Sequence, residues 1–227
     1  MTDDRLGGTL DAVLHLLDRQ VVDTDGLMVC KVDDVELTEL DDGGLAVTAM
    51  LAGPSALVPR YADDGLGRML HGYWRRLSPE RADRDDPYRL DLALVHRLGS
   101  GVELSVPRDG LLVRQGQAAR RLNDLLQLRV LLADRSEAGR VLDVRLANDH
   151  DGDGALRVVG LVVGRGRPGS YLGYDRRGDM GPWLVNRVVR RLHRHSGYLE
   201  WADVRAVDWH AGEILTRRSQ LADLRPA

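Results

Sequence analysis

The chain lacks phenylalanine and has one cysteine among its 227 residues. Cys30 cannot form an internal disulfide, and the first residues lack the basic and apolar stretches of a secretory signal. No apolar run approaches the roughly 20 residues that a transmembrane helix requires. We therefore expect a cytoplasmic protein with no membrane span.

Lysine is also scarce, because Lys31 is the only lysine among 32 basic residues. This bias towards arginine is typical of a GC-rich genome and does not by itself indicate phosphate binding. The net charge of −3 conceals an asymmetry. Residues 1–115 carry 13 basic and 21 acidic side chains (net −8), whereas residues 116–227 carry 19 and 14 (net +5).

The sequence repeats itself once, which indicates a duplicated module. The aligned segments are 19–37 with 128–146 (offset 109), 45–53 with 156–164 (offset 111), 73–77 with 188–192 (offset 115) and 92–98 with 201–207 (offset 109). Small changes of offset are what loop insertions produce. We therefore predict two tandem modules, residues 1–115 and 116–227.

Each copy contains short β-rich runs separated by Asp/Gly turns. In the first copy the predicted strands are Val21–Val22, Val29–Leu37 and Leu45–Leu51. The turns between them are Asp23–Gly26 and Asp41–Gly44. This pattern predicts a small antiparallel barrel or sheet in each module.

Apolar residues at helical spacing occur in four places, so the predicted fold class is mainly β with helical excursions. Each copy has one such stripe between its third strand and its closing strands. The stripe of the first copy is Leu66, Met69, Leu70, Tyr73 and Leu77, and that of the second is Leu184, Val185, Val188, Val189 and Leu192. Two shorter stripes precede the modules: Leu10, Val13, Leu14 and Leu17, and Ala118, Leu122, Leu125 and Leu126.

Two segments resemble a known family: VVDTDGLMVCKVDDVELTE (Val21–Glu39) and YLEWADVRAVD (Tyr198–Asp208). Both are similar to the PRC-barrel domain, the small β-barrel of the photosynthetic reaction centre H subunit and of a ribosome maturation factor. The resemblance implies two tandem antiparallel β-barrels of PRC-barrel type that dock other molecules without an active site. The ribosome factor's N-terminal domain has no counterpart in this sequence, and the helical excursions exceed the family's minimal pattern.

An aspartate-rich loop is the closest approach to a ligand motif. Asp149, Asp151 and Asp153 alternate before Gly154, as in the first half of an EF-hand loop. The position of the bidentate glutamate is occupied by Gly160, and the flanking segments are predicted strands. A polar hairpin turn is therefore the favoured interpretation, with weak cation binding left open.

Other candidates for chemistry have simple structural interpretations. Cys30 lies inside a predicted strand, which indicates a buried, inert thiol. His193 and His195 point apart on a predicted helix, and the neighbours Asp33 and Asp34 face opposite sides of a predicted strand. We therefore expect no catalytic residues, no metal and no cofactor, and the chain is not predicted to be an enzyme.

An arginine stripe on the second predicted excursion helix is the sharpest candidate. Arg187, Arg190, Arg191 and Arg194 recur at i, i+3, i+4 and i+7, opposite the apolar stripe. Such a stripe is either the solvated face of an amphipathic helix or a docking surface for an acidic partner or for phosphates.

The functional prediction is a non-enzymatic protein-binding adaptor or assembly module. Its partner is expected to be another protein with an acidic surface, and the opposite charges of the two halves also permit a homo-oligomer. The alternative is an RNA- or ribosome-associated maturation factor, in which the positive second module contacts phosphates. A hydrolase, the third possibility, requires a pocket with convergent polar groups.

Overall fold

The computed structural model describes most of both repeats, and in these residues the chain is mainly β with short helices. The described residues are 8–61, 86–114, 120–126, 128–148, 156–165 and 196–224. Outside them lie the predicted module boundary at 115/116, the Asp149–Gly154 loop and both predicted excursion helices.

The elements are short. The strands, in chain order, are β1 (Thr9–Asp11), β2 (Gln20–Val22), β3 (Met28–Lys31), β4 (Asp34–Glu39), β5 (Leu45–Ala52), β6 (Tyr88–Asp91), β7 (Val95–Leu98), β8 (Val102–Leu104), β9 (Val113–Arg114), β10 (Arg120–Arg121), β11 (Arg129–Leu131), β12 (Glu137–Asn148), β13 (Leu156–Gly164), β14 (Ser196–Glu200), β15 (Val204–Asp208), β16 (Glu213–Thr216) and β17 (Ala222–Asp223). The α-helices are α1 (Ala12–His15), α2 (Pro54–Leu57) and α3 (Leu122–Leu126), and 3-10 turns span Val58–Tyr61, Leu92–Leu94 and Trp201–Asp203.

The chain divides into two compact units, and each unit takes residues from both repeats. Unit 1 comprises Met1–Thr9, His15–Asn123 and Ala147–Arg157, and unit 2 comprises Leu10–Leu14, Asp124–Leu146 and Val158–Ala227. The segment that precedes the first repeat therefore contributes to the unit that is built mainly from the second repeat. Conversely, the described residues 120–123, which precede the second repeat, belong to unit 1.

Unit 1 contains two groups of paired strands. In the first, β4 and β5 pair antiparallel, β10 lies beside β4, β6 lies beside β5, and β9 lies beside β6. The second has the order β3-β2-β8-β7, in which β2 and β8 are parallel. Apolar side chains of these strands form the core, among them Val35, Leu37, Met50 and Leu90, each at most 1% exposed.

Unit 2 repeats this arrangement. Strand β11 pairs antiparallel with β12 and parallel with β16, β16 pairs with β15, and β13 pairs with β14. The parallel pairs depart from the purely antiparallel prediction. They arise because a tight hairpin reverses the chain before β8 and β16, so that each arrives alongside the first strand of its repeat in the same direction. The pairings among described strands do not close into a ring.

Strand registers reproduce the sequence repeat. The pair Gln20↔Lys31 in unit 1 corresponds to Arg129↔Arg140 in unit 2, and both positions shift by 109. The pair Ala49↔Asp91 corresponds to Gly160↔Glu200, with shifts of 111 and 109. The offsets read from the sequence therefore describe equivalent positions in the two units.

Two carboxylates on equivalent strand positions receive the first backbone amides of two helices. Asp143 accepts hydrogen bonds from the N–H groups of Val13 (2.8 Å) and Leu14 (3.2 Å) at the start of α1. Asp34, 109 residues earlier, accepts one from Asn123 (3.3 Å) at the start of α3. Helix N-termini present unpaired N–H groups, so these carboxylates fix where each helix begins.

Both helices are shorter than the apolar spacing predicts. The stripe from Leu10 to Leu17 predicts a helix over its whole length, but Leu10 lies in β1 and α1 ends at His15. Asp18 adopts a left-handed backbone conformation (φ 64°) soon afterwards. The helix is therefore bounded by the Asp143 contact at one end and by this chain reversal at the other.

Equivalent positions also carry buried charges of opposite sign. In unit 2, Arg145 donates hydrogen bonds to Asp11 (2.8 and 3.1 Å), and its guanidinium lies 5.0 Å from the centre of the Tyr198 ring. The corresponding residue in unit 1 is Glu36, which pairs with Arg89 at 3.1 Å and faces Arg121 across the strand pair. Each of these two buried charges is therefore paired within its own unit, with Asp11 of β1 in unit 2 and with Arg89 of β6 in unit 1.

Leu10 tests whether the N-terminal segment stabilises unit 2. Leu10 is fully buried, whereas Leu14 on the same segment is 43% exposed. We expect Leu10→Ala to lower the free energy of unfolding by about 2–5 kcal/mol and Leu14→Ala by about 1 kcal/mol or less. In native-state hydrogen exchange, amides of β11 and β16 should lose more protection than those of β2 and β8. Greater loss in β2 and β8 would contradict the assignment.

Asp143 gives a pH-dependent prediction. The pKa of this carboxyl is raised from 3.8 to about 7, because burial and the nearby Asp11 charge both raise it and the backbone N–H groups only partly oppose them. The folded state thus holds the proton more tightly than the unfolded chain. This group's contribution to stability is complete below about pH 4 and is lost as the pH rises towards 7.

Asp143→Asn removes this titration. Between pH 5 and pH 8 the wild-type free energy of unfolding should fall by more than that of Asp143→Asn, with a difference of at most about 3 kcal/mol. Chemical denaturation at the two pH values measures it, and the exposed Asp109→Asn controls for the loss of one charge. Equal pH dependence of wild type and Asp143→Asn would show that Asp143 does not titrate in this range.

Candidate functional site

The described part of unit 2 contains a pocket of about 370 Å³ that is lined by three arginines. These are Arg135, Arg205 and Arg217. The remaining lining residues are Leu132, Ala133, Leu215 and Thr216. The pocket therefore combines an apolar surface with the positive charges of three exposed arginines.

Arg135 lies in the turn between β11 and β12. Its N–H donates to the carbonyl of Leu132, and the Leu132 N–H donates to the carbonyl of Ser136, both at 2.9 Å. The turn forces Arg135 into the left-handed region (φ 68°), where a side chain costs energy. The equivalent residue of the first repeat is Gly26, with φ 74°.

Arg205 and Arg217 come from the hairpin of β15 and β16. The register shifts between Val204 and Ala206, so Arg205 sits in a bulge, an irregularity that redirects side chains. Arg217 follows β16, and its Nη1 donates to the carbonyl of Ala202 at 2.7 Å. The bulge thus positions Arg205, and the hydrogen bond to a backbone carbonyl positions Arg217.

The nearby carboxylates have partners of their own. Asp134 accepts hydrogen bonds from the N–H and hydroxyl of Ser136, which hold its pKa below the usual range. Asp203 pairs with Arg218 at 2.7 Å. Within the described ranges no carboxylate lies within ion-pair distance of Arg135 or Arg205, so these two arginines are not held in ion pairs.

The same face of unit 1 has different chemistry. The registers place Gly26, His96 and Ser105 where unit 2 has its three arginines. Asp23, at the position of Leu132, is buried, and its carboxylate accepts hydrogen bonds from three backbone N–H groups. Despite the cost of burial, these bonds hold the pKa of Asp23 below its ordinary value. Unit 1 therefore carries its own anion there, and unit 2 carries cations.

The residues singled out from the sequence do not form this pocket. Arg187, Arg190, Arg191 and Arg194 lie outside the described residues, as do Asp149, Asp151, Asp153, His193 and His195. Cys30 lies in β3, where burial raises the pKa of its thiol to about 11, with a smaller effect of Asp33. This thiol stays protonated at neutral pH and is a poor nucleophile.

Asp33 and Asp34 form separate hydrogen bonds, and their predicted place in one continuous strand is wrong. The strand is interrupted between β3 and β4, because the Asp33 N–H donates to the Leu51 carbonyl and its carboxylate accepts from the Gly53 N–H (2.8 Å). Asp34 caps α3. Across the part of the chain that the structure describes, no group of three or more His, Cys, Asp or Glu residues could hold a metal ion.

The three pocket arginines were not predicted from the sequence as site residues, although the repeat contains a signal for Arg135. Alignment at offset 109 places Arg135 opposite Gly26, and a turn that requires glycine in one copy is an unfavourable place for arginine in the other. Arg205 and Arg217 had no such signal, because only the hairpin register brings them to the same pocket.

The chain matches no known protein family and no curated protein. Among the residues that the structure describes, no helix is long and apolar enough to cross a membrane. The site must therefore be interpreted from its own residues.

The backbone of Arg135 predicts an unusual effect of substitution. Arg135→Gly should raise the free energy of unfolding by about 0.5–1 kcal/mol, because relief of the left-handed strain exceeds the entropy cost of glycine. Gly26→Ala at the equivalent turn should lower it by about 1 kcal/mol. Urea denaturation in phosphate-free buffer measures both. Arg140→Gly, within β12, is the control and should lower the free energy of unfolding. A similar loss in Arg135→Gly would show that the backbone of Arg135 is not strained.

Proposed function

We propose that this protein is a non-enzymatic adaptor or assembly module built from two PRC-barrel-like domains. It binds another protein through unit 2, by contact between the pocket arginines and an acidic surface of that partner. The observation that carries the proposal is the arginine-lined pocket, in which Arg135 and Arg205 have no acidic partner among the described residues. The resemblance to a family of docking domains and the internal repeat support the same conclusion.

The chemistry of the pocket favours binding over catalysis. Arginine stays protonated in proteins, so it does not transfer protons as a general acid or base. The hydroxyl of Thr216 donates to the carbonyl of Asp203 (3.0 Å) and accepts from the Arg218 N–H (3.1 Å), so its proton is held by a backbone carbonyl and not by a base that could activate it. These groups bind and orient an anionic partner.

A protein partner also fits the apolar part of the pocket. Leu132 and Leu215 offer aliphatic surface beside the guanidinium groups. An acidic protein segment supplies anionic groups for the arginines and apolar side chains for this surface, as protein interfaces commonly do. A complex of this kind loses some affinity as salt rises but retains its apolar contribution.

The test is capture of partners from the native host by the tagged full-length chain. Arg205→Glu should reduce capture of an acidic partner at least tenfold, because it places a negative charge in the pocket while leaving the exposed hairpin folded. Arg140→Glu is the matched control: Arg140 is an exposed arginine of unit 2 outside the pocket lining, and its reversal should leave capture nearly unchanged.

Two results would overturn the proposal. One is equal capture by wild type and Arg205→Glu. The other is capture of RNA instead of protein, with a steep log-log dependence of affinity on salt that reports several phosphate contacts. That second result would favour the RNA-associated alternative.

A further inference from the structure

We infer that the arginine-lined pocket of unit 2 is a binding site for a phosphate monoester. This inference rests on the proposed function and deepens it, since it names the chemical group that unit 2 recognises. The site consists of Arg135, Arg205 and Arg217, with Leu132 and Leu215 as its apolar surface.

An anion is the ligand class that the pocket requires. Three exposed arginines line one concave surface, and an anion that enters reduces the repulsion between their positive charges. Among the described residues, Asp203 pairs with Arg218, and Asp134 is hydrogen-bonded to Ser136 without an ion pair to Arg135 or Arg205. These arginines are therefore open to an anionic ligand.

Phosphate fits this set of donors better than a carboxylate does. A carboxylate has two oxygens and one charge, which a single guanidinium satisfies in a bidentate pair. A phosphate monoester has three terminal oxygens and a charge of about −1.5 to −2 at neutral pH, which suits several guanidiniums. The volume of about 370 Å³ leaves room for the organic group that carries the phosphate, against Leu132 and Leu215.

The strained backbone of Arg135 is independent support. A left-handed conformation costs a residue with a side chain about 1–2 kcal/mol, and such strain persists where the side chain is needed for function. The equivalent turn of unit 1 has the same conformation and uses Gly26. Unit 2 therefore keeps an arginine at a position where the backbone favours glycine.

Unit 1 serves as an internal comparison without the site. The buried carboxylate of Asp23 occupies the position of Leu132 and would repel a phosphate. His96 and Ser105 replace two of the arginines, and neither supplies a permanent positive charge. Phosphate binding is accordingly assigned to unit 2 alone.

The experiment measures thermal unfolding of the full-length chain at pH 8 and constant ionic strength. Sodium phosphate should raise Tm by several degrees at saturating concentration, because a ligand that binds only the folded state stabilises it. Sodium acetate and sodium chloride at the same ionic strength should shift Tm by less than one degree.

Variants assign the effect to the pocket. Arg135→Gly, whose backbone suits the turn, and Arg205→Ser should each lose at least half of the phosphate-induced shift. Arg140→Ser, outside the pocket lining, should keep it. Equal phosphate shifts in wild type, Arg135→Gly and Arg205→Ser, or an acetate shift as large as that of phosphate, would overturn the inference.

Phosphoserine in place of inorganic phosphate distinguishes two sources of the ligand. A larger Tm shift with phosphoserine at equal concentration indicates a phosphorylated side chain of a partner, and an equal shift indicates a free phosphate; both support the site.

If Arg205→Glu abolishes partner capture while phosphate has no effect on wild type, the adaptor proposal stands and the phosphate inference fails. If phosphate raises the Tm of the wild type while Arg205→Glu captures partners as well as the wild type does, the phosphate inference stands and the adaptor proposal fails.

Discussion

A carboxylate on a strand that receives the first amides of a helix is the contact on which the architecture depends. Asp143 accepts N–H groups of Val13 and Leu14, and Asp34 accepts that of Asn123. In both cases the helix belongs to the segment that precedes the other repeat. Each unit is therefore completed by a piece of chain from outside its own repeat, and a duplicated sequence yields two units that exchange segments.

Duplication with retained registers has allowed the side chains of the two units to diverge. The strand pairs keep their alignment, yet Glu36 corresponds to Arg145, and Gly26 corresponds to Arg135. The backbone pairing is the same in both units, but the charges of the side chains differ. One unit therefore has a basic pocket, and the other has the buried carboxylate of Asp23. The net charges of the two halves of the sequence, −8 and +5, differ in the same direction.

Much of the fold was predictable from the sequence because strand alternation and turn residues are local properties. The offsets of 109 and 111 and the strands around Val21 and Leu45 are confirmed by the strand registers. The exchange of segments was not predictable, because it depends on a hydrogen bond between residues 130 positions apart. The pocket was missed for the same reason, since only the pairing of β11 with β16 brings Arg135 and Arg205 to the lining of one pocket.

The exchange itself is tested most directly by reversing the buried ion pair between Asp11 and Arg145, which are 2.8 Å apart. The double variant Asp11→Arg with Arg145→Glu exchanges the two charges, so that an ion pair of reversed polarity forms at the same positions. Equilibrium unfolding of the four proteins of this double-mutant cycle gives the coupling free energy. We expect each single variant to lose about 3–5 kcal/mol and the double variant to recover at least about 1.5 kcal/mol of the summed loss. Strictly additive losses would show that the N-terminal segment does not contact the second repeat in solution.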